Sequence, residues 1–299
     1  MPYAWILRSE IVSVLKNKPR IFTKGLLNFL LKLIFPKYEH EGFLALSPVN
    51  VLSFELMKIQ CANPWMPDVM ADRIILESKA MLDSYISDGV SSKKCIILGS
   101  GSQDILYANR TSELNSETVL AFIPPDQTSH QIKGFEFENY WDMIEFYVDS
   151  ILSVFGKDTV FSIHPRMKFM ISQLQKTFTD INIYLGDACE LIPSTKLCIG
   201  SMSGILRYVL SGGKPLLYYD MFNYKIFEFS ASESVLVASS KREFIQYLIK
   251  MKTDNNFIQD LLIKSKRDAM YWGNIDGGSV GRIEKFLVTN YLTKSISQV

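Results

Sequence analysis

The chain has 299 residues, 47% hydrophobic and 21% charged, with a net charge of +1. That is the composition of a globular protein with material for about two domains, and it excludes a disordered, fibrous or globally nucleic-acid-binding chain. Four scattered cysteines, Cys61, Cys95, Cys189 and Cys198, form no CxxC pair and have no metal-ligand spacing, so reduced thiols and a cytoplasmic setting are expected. No apolar run reaches the roughly 18 residues of a spanning helix. The first residues lack the charged, apolar and small order of a signal peptide.

Charge is uneven along the chain. Residues 1–40 carry seven basic side chains (Arg8, Lys16, Lys18, Arg20, Lys24, Lys32 and Lys37) against Glu10 and Glu39, a local charge of +5. Within them, "IFTKGLLNFLLKLIF" (21–35) sets Lys24, Asn28 and Lys32 at i, i+4 and i+8, one narrow polar stripe on an apolar helix. Two readings stand: a core helix with one wet edge, or an interfacial helix facing anionic lipid through residues 8–37.

"YEHEGF" (38–43) follows, with Glu39 and Glu41 flanking His40 before Gly42. It reads as an exposed acidic turn or as a general base, Glu41, aimed into a cleft. One histidine and two glutamates so close in sequence do not converge readily on a metal, and no Asp-x-Asp signature occurs.

"DRIILES" (72–78) reads as strand, "KAMLDSYISDG" as helix and "KKCIILGSG" (93–101) as strand and glycine turn. The "GSGSQD" turn (99–104) is short of dinucleotide and phosphate-loop fingerprints. "LNSE" (114–117) marks a domain boundary. Beyond it strands and helices alternate: "TVLAFIP", a helix over about 137–155, "TVFSIHP", a helix over about 167–177, "INIYLG", a short helix at "ACELIP", "KLCIGS", "GILRYVLSG", "KPLLYYD" and "SVLVAS". Buried runs each followed by a 3.6-period segment predict a parallel sheet with helices on both faces. The expected class is α/β, with a complete doubly wound Rossmann-type C-terminal domain. The expected division is 1–115, 116–275 and a C-terminal helix over 276–299 packing back on the first domain.

Ligands of such sheets sit outside the carboxyl ends of the strands. His164 ends its strand, Pro165 turns the chain out of the ladder, and Arg166 and Lys168 add positive charge. The imidazole either donates to a phosphate or caps a loop. "CIGSMSGIL" (198–206) ends on Gly200 and is expected to start a helix near Ser203, so that Ser201, Ser203 and Gly204 face an anion; a plain serine cap is the alternative. It is not a G-x-S-x-G elbow, because Ser201 and Ile205 hold the glycine positions. Asp220, at the end of "KPLLYYD", is a candidate for a ribose hydroxyl or a helix cap.

Taken in order, an acidic residue before glycine, then His-Pro, then neighbouring serines, resembles the bacterial sialyltransferases and polysialyltransferases of GT-B architecture. "EHEGFLALS" is similar to the acidic-Gly-Phe stretch of the related capsule Kdo transferases. Residues 70–104 and "WGNIDGGSVGRIEKFL" (272–287) resemble parts of surface-polysaccharide GT-B proteins, so the likeness covers roughly 38–290. The resemblance implies a metal-independent, inverting glycosyltransferase that needs no cofactor beyond a nucleotide-sugar donor, CMP-sialic acid-like or CMP-Kdo. It implies Glu41 as base and His164, protonated, with Ser203 and then Ser201 on the donor phosphate. The acceptor would be a glycan or lipid-linked, with the protein cytoplasmic and peripheral at the inner membrane. UDP-sugar or CDP-glycerol donors, a related epimerase and a non-catalytic subunit remain alternatives. Two positions depart from the pattern: His40 replaces the first acidic residue, and Met202 separates the serines. About 40 residues precede Glu41, so a short or incomplete N-terminal α/β domain is expected.

Overall fold

The computed structural model describes residues 26–40, 43–44, 48–57, 73–87, 90–110, 117–128, 135–224, 229 and 232–292. Glu41, Gly42, Lys24 and Cys61 lie outside the described residues. The chain divides into two compact units: Met1–Ile75 with Met81–Ile96, and Leu76–Ala80 with Ile97–Val299.

In the first unit, α1 (Leu26–Ile34) and α2 (Pro48–Leu56) pack against each other, and β1 (Glu39–His40) pairs antiparallel with β2 (Phe43–Leu44). Leu31, Tyr38 and Val51 form a small core, and the Tyr38 hydroxyl donates to Glu55 Oε1 at 2.9 Å. The described residues of the α1 stripe do not form a wet edge. Asn28 is buried and Lys32 half-buried, whereas Leu27, Phe29, Leu30, Leu33 and Ile34 are exposed. Periodicity identifies a polar face; it does not say which face the rest of the unit covers.

Strands β3 (Ile74–Leu76) and β4 (Cys95–Ile97) pair with each other, and α3 (Lys79–Ser87) lies between them in sequence. The second unit then begins with α4 (Gly101–Ala108), capped reciprocally by Ser100 and Gln103. The sequence reading ends its first domain at 115, but α4 belongs with the second unit because Leu106 joins that unit's core.

The second unit is built on six parallel strands: β5 (Val119–Ile123), β6 (Thr159–Ile163), β7 (Ile183–Tyr184), β8 (Leu197–Gly200), β9 (Leu216–Tyr219) and β10 (Val235–Ala238). Their order is β10-β9-β8-β5-β6-β7. Every residue of β5, β8 and β9 is buried, as expected of strands covered on both faces. The connecting helices are α5 (Tyr140–Phe155), α6 (Ile171–Thr177), α7 (Ala188–Leu191) and α8 (Leu206–Ser211). After β10 come α9 (Lys241–Thr253), α10 (Asn255–Trp272) and α11 (Ser279–Leu287). One core cluster joins Leu120 and Phe122 of β5 to Cys198, Leu206, Leu210, Tyr218 and Trp272. The terminal helix α11 packs on α4, where Asp104 accepts from the backbone N–H groups of Ser279 (2.9 Å) and Val280 (2.8 Å).

The strand order has one reversal. From β5 the chain moves outward through β6 and β7, then returns to β8 on the other side. The switch point lies at the carboxyl ends of β5, β6 and β8, where an open α/β sheet leaves a crevice for a ligand.

Candidate functional site

A cavity of about 510 Å³ opens at that crevice. Phe122 and Ile123 come from the end of β5, Ser162, His164, Pro165 and Lys168 from β6 and its exit, and Ser203 and Ile205 from the turn after β8. The loop Tyr184–Ala188 after β7 supplies the remaining wall.

His164 is held from both sides of its own backbone. Its N–H donates to Ile123 O of the neighbouring strand at 3.2 Å, and its carbonyl accepts from Met167 N at 2.8 Å. Pro165 starts a 3₁₀ turn over Pro165–Met170, and the imidazole Nδ1 accepts the Arg166 N–H at 3.3 Å. The capping reading and the ligand reading of His164 therefore describe two nitrogens of one ring. Accepting at Nδ1 puts the proton of the neutral ring on Nε2, which remains a donor. Burial first, and the Arg166 charge second, push its pKa below the usual histidine value. At neutral pH the free protein thus carries a neutral imidazole, where the sequence reading expects an imidazolium. The positive charge on the cavity wall comes from exposed Lys168.

The turn after β8 is tight. Gly200 is buried, and a Cβ there would lie 2.7 Å from Leu206 Cδ2 and 3.2 Å from Phe122 Cδ2. Met202 takes a φ of +28°, unusual for a side chain other than glycine, and it is buried. Ser203 reaches the cavity. Ser201 is fully buried and its hydroxyl has no hydrogen-bond partner among the described residues. The regular helix begins at Leu206, later than expected, because Leu206 N first closes a turn onto Ser203 O at 3.2 Å. Gly204 lies within that turn and is half-buried.

Asp220 is placed elsewhere. It is buried, its Oδ1 accepts from Tyr224 N at 2.9 Å, and it is not among the cavity's lining residues. Arg166 is exposed beside the cavity and is not among its lining residues. The structure thus brings His164, Pro165 and Ser203 together, sets Gly200, Ser201 and Gly204 behind them, and separates Asp220.

The wall after β7 was missed by the sequence reading. Tyr184 ends β7, Gly186 and Asp187 follow it just as His164 and Ser203 follow their strands, and "YLGDA" carried the same signal: a glycine and a carboxylate after a strand. Asp187 accepts from Cys189 N at 2.9 Å, and the Tyr184 hydroxyl donates to Glu190. The Tyr184 ring fills the space over Gly186 where a Cβ would stand. Two cysteines near the sheet are poor nucleophiles: burial, with Asp187 adding at Cys189, pushes the Cys189 and Cys198 thiols up to about 12. Among the described residues no group of three His, Cys, Asp or Glu side chains could hold a metal ion.

No protein-family model matches the chain, and no curated protein matches it in sequence. Solved structures do. The Wall Teichoic Acid Polymerase TagF superposes with a TM-score of 0.52 at 12% identity, over 76% of this chain and 59% of that one. The same polymerase soaked with CDPG gives 0.53 at 12% identity, over 75% and 58%. UDP-GlcNAc 2-epimerase from Neisseria meningitidis bound to UDP-GlcNAc gives 0.51 at 16% identity, over 74% and 62%. The chain therefore spans about three fifths of the length of these structures. The fold is α/β and GT-B-like, as the doubly wound order of the second unit indicates.

Proposed function

We propose that the chain transfers a sugar, or a polyol phosphate, from a nucleotide-activated donor during bacterial surface-polysaccharide synthesis. One observation carries this reading: the cavity at the switch point gathers a strand-end histidine, a hydroxyl and a lysine where the fold binds ligands. The donor phosphate lies against His164 Nε2–H, the Ser203 hydroxyl and the Lys168 ammonium. As the bond to the sugar breaks, negative charge grows on the phosphate oxygens, and donors already aimed at them stabilise it without reorganising. His164 accepts a proton more readily once that dianion is beside it, so its charge rises during the reaction. In this reading the nucleoside lies along the wall formed by the loop after β7, where the Asp187 carboxylate can accept from hydroxyl or amino groups.

The acceptor is a glycan or lipid-linked hydroxyl, and Glu41 is proposed as its base on the strength of the sequence pattern. The donor assignment, a CMP-activated sialic acid-like sugar or Kdo, rests on the resemblance of the His-Pro and serine motifs. CDP-glycerol or a UDP-sugar is the second reading, favoured by the CDPG and UDP-GlcNAc in the similar structures. Because the chain spans only part of those proteins, transfer to acceptor is proposed for the assembled enzyme. Release of nucleotide from CMP-, CDP- and UDP-activated donors tests the reading. Parent-dependent release that Ser203→Ala reduces about 10²–10³-fold supports it. Release from none of the three, together with no nucleotide binding, overturns it.

A further inference from the structure

We propose that Glu77, held by Tyr208 and flanked by Ser100 and Ser102, binds adjacent hydroxyl groups of the nucleotide-activated donor. The inference rests on the transfer reading, and it concerns side chains to which neither the His-Pro nor the serine motif gives a part.

All of these residues belong to the second unit. Glu77 follows β3, and Leu76 O accepts from both Leu98 N (3.1 Å) and Gly99 N (3.2 Å), so the "GSGSQD" turn arrives beside Glu77. Gly99 takes a φ of +89°, which glycine adopts without strain. Buried Gln103 ties the two segments together: its Nε2 donates to Glu77 O at 3.1 Å, and its Oε1 accepts from Ser100 N at 3.2 Å. On these supports a chain of side-chain bonds forms. The Ser100 hydroxyl donates to the Tyr208 hydroxyl at a long 3.5 Å, and that hydroxyl donates to Glu77 Oε1 at 3.1 Å. Burial first, and Glu77 second, push the Tyr208 pKa up, so its hydroxyl stays protonated and remains a donor. Ser102 reaches both Tyr208 and the Cys189 thiol.

The cluster adjoins the cavity on two sides. Tyr208 N closes a turn onto Ile205 O at 2.9 Å, and Asp187 and Ala188 precede Cys189; Ile205, Asp187 and Ala188 all line the cavity. Glu77 is half-buried. Its second carboxylate oxygen has no partner among the described residues, and no lysine or arginine among them pairs with it. A tyrosine in need of an acceptor is satisfied by one oxygen alone. A free carboxylate oxygen with two serine hydroxyls beside it is matched to ligand hydroxyls, which both donate and accept. It is mismatched to a phosphate or a ligand carboxylate, which it repels. A nucleotide-activated donor carries adjacent hydroxyls in two places, on the ribose and on the transferred group.

Calorimetric titration of the full chain tests the subsite and separates the two sources. The ligands are CDP and UDP, their dideoxyribose forms, CDP-glycerol and UDP-GlcNAc. The variants are Glu77→Gln, which keeps an acceptor for Tyr208 and loses the charge, and Tyr208→Phe, which keeps the ring and loses the positioning bond. Glu77→Gln is expected to weaken binding of the hydroxyl-bearing ligand about tenfold or more, for a lost hydrogen bond to a charged group, with an unchanged melting transition. Tyr208→Phe is expected to weaken the same ligands and no others. If the ribose is the source, CDP and UDP show the loss and their dideoxyribose forms do not. If the transferred group is the source, only CDP-glycerol or UDP-GlcNAc shows it, and Glu77 then selects an uncharged sugar or polyol over one with its own carboxylate. Variants that bind every ligand as the parent does, while His164→Ala weakens them, overturn the subsite and leave the transfer reading standing. An equal loss for CDP or UDP and its dideoxyribose form overturns it as well, because no hydroxyl is then involved. A parent chain that binds none of these ligands overturns both.

Discussion

His164 Nδ1 accepts the backbone N–H of Arg166 at 3.3 Å, and that bond decides what the other ring nitrogen can do. It fixes the tautomer, aims Nε2–H away from the turn, and leaves the ring neutral when nothing is bound. The sheet holds the residue by a second bond, from His164 N to Ile123 O. A neutral donor on a rigid strand end binds an anion without first carrying a charge through a partly buried site.

The first prediction concerns proton uptake. His164 in the free protein is expected to titrate below 6.5, because burial and Arg166 both disfavour the imidazolium. A bound phosphate reverses the balance, so the pKa moves up and nucleotide affinity rises as pH falls between the bound and free values. Each unit of separation is worth about tenfold in affinity. Proton NMR of the ring across pH 5–8 (roughly the histidine range), with and without nucleotide, checks it; a pKa above 6.5 in the free protein and no movement on binding would contradict it. The same depression sets a stability trend. The unfolded chain protonates His164 first, so stability falls as pH drops from 6.5 toward the folded-state value.

The second separates the two nitrogens. His164→Ala loses both the phosphate donor and the cap of the Pro165–Met170 turn. Turnover should fall about 10²–10³-fold, with about 0.5–2 kcal/mol lost from stability. His164→Asn keeps a side-chain acceptor for Arg166 N, so its melting temperature should stay nearer the parent's while turnover still falls. Equal turnover in parent and both variants, each folded, would remove His164 from the site.

A third prediction uses the two serines, which sit differently. Ser203 lines the cavity, so Ser203→Ala should weaken nucleotide binding with little change in melting. Ser201 is buried with an unsatisfied hydroxyl. Leaving such a group unpaired costs about 1–3 kcal/mol, so Ser201→Ala should raise the melting temperature of the nucleotide-free protein. If nucleotide stabilises parent and Ser201→Ala equally, Ser201 does not take part in binding. A lower melting temperature for the variant would mean that the hydroxyl is satisfied in solution.

The turn itself is sensitive to one methyl group. Gly200→Ala places a Cβ 2.7 Å from Leu206 Cδ2, and Leu206 is fully buried with little room to yield. Overpacking of this kind costs about 1–3 kcal/mol. Urea denaturation should show that loss, together with weaker nucleotide binding because the Ser203 turn starts here. An unchanged midpoint would mean that Leu206 repacks freely.

Much of the second unit was legible because its physics is local. Six short apolar runs, five of them followed by a helical period, leave few architectures besides a parallel sheet, and Pro165 marks where His164 leaves it. Other features were not legible. Asp220 and Asp187 both follow strands, and a carboxylate there looks the same whether it bonds Tyr224 N or lines a cavity. The stripe of Lys24, Asn28 and Lys32 gave the period of α1 and not its orientation, since that depends on Tyr38 and Val51 packing on the Asn28–Leu31 side. The helix after β8 was expected from Ser203, yet its start is set by a turn that ends at Leu206.

The central claim is that the switch-point cavity binds the phosphate of a nucleotide through His164. Calorimetric titration with CMP, CDP and UDP, run on the parent and on His164→Ala, tests it most directly. The account predicts that at least one nucleotide binds the parent and that His164→Ala weakens that binding about tenfold or more, for a lost hydrogen bond to a charged group; which base binds tightest then chooses among the donors. Binding by none of the three, or binding that His164→Ala leaves unchanged, would contradict it.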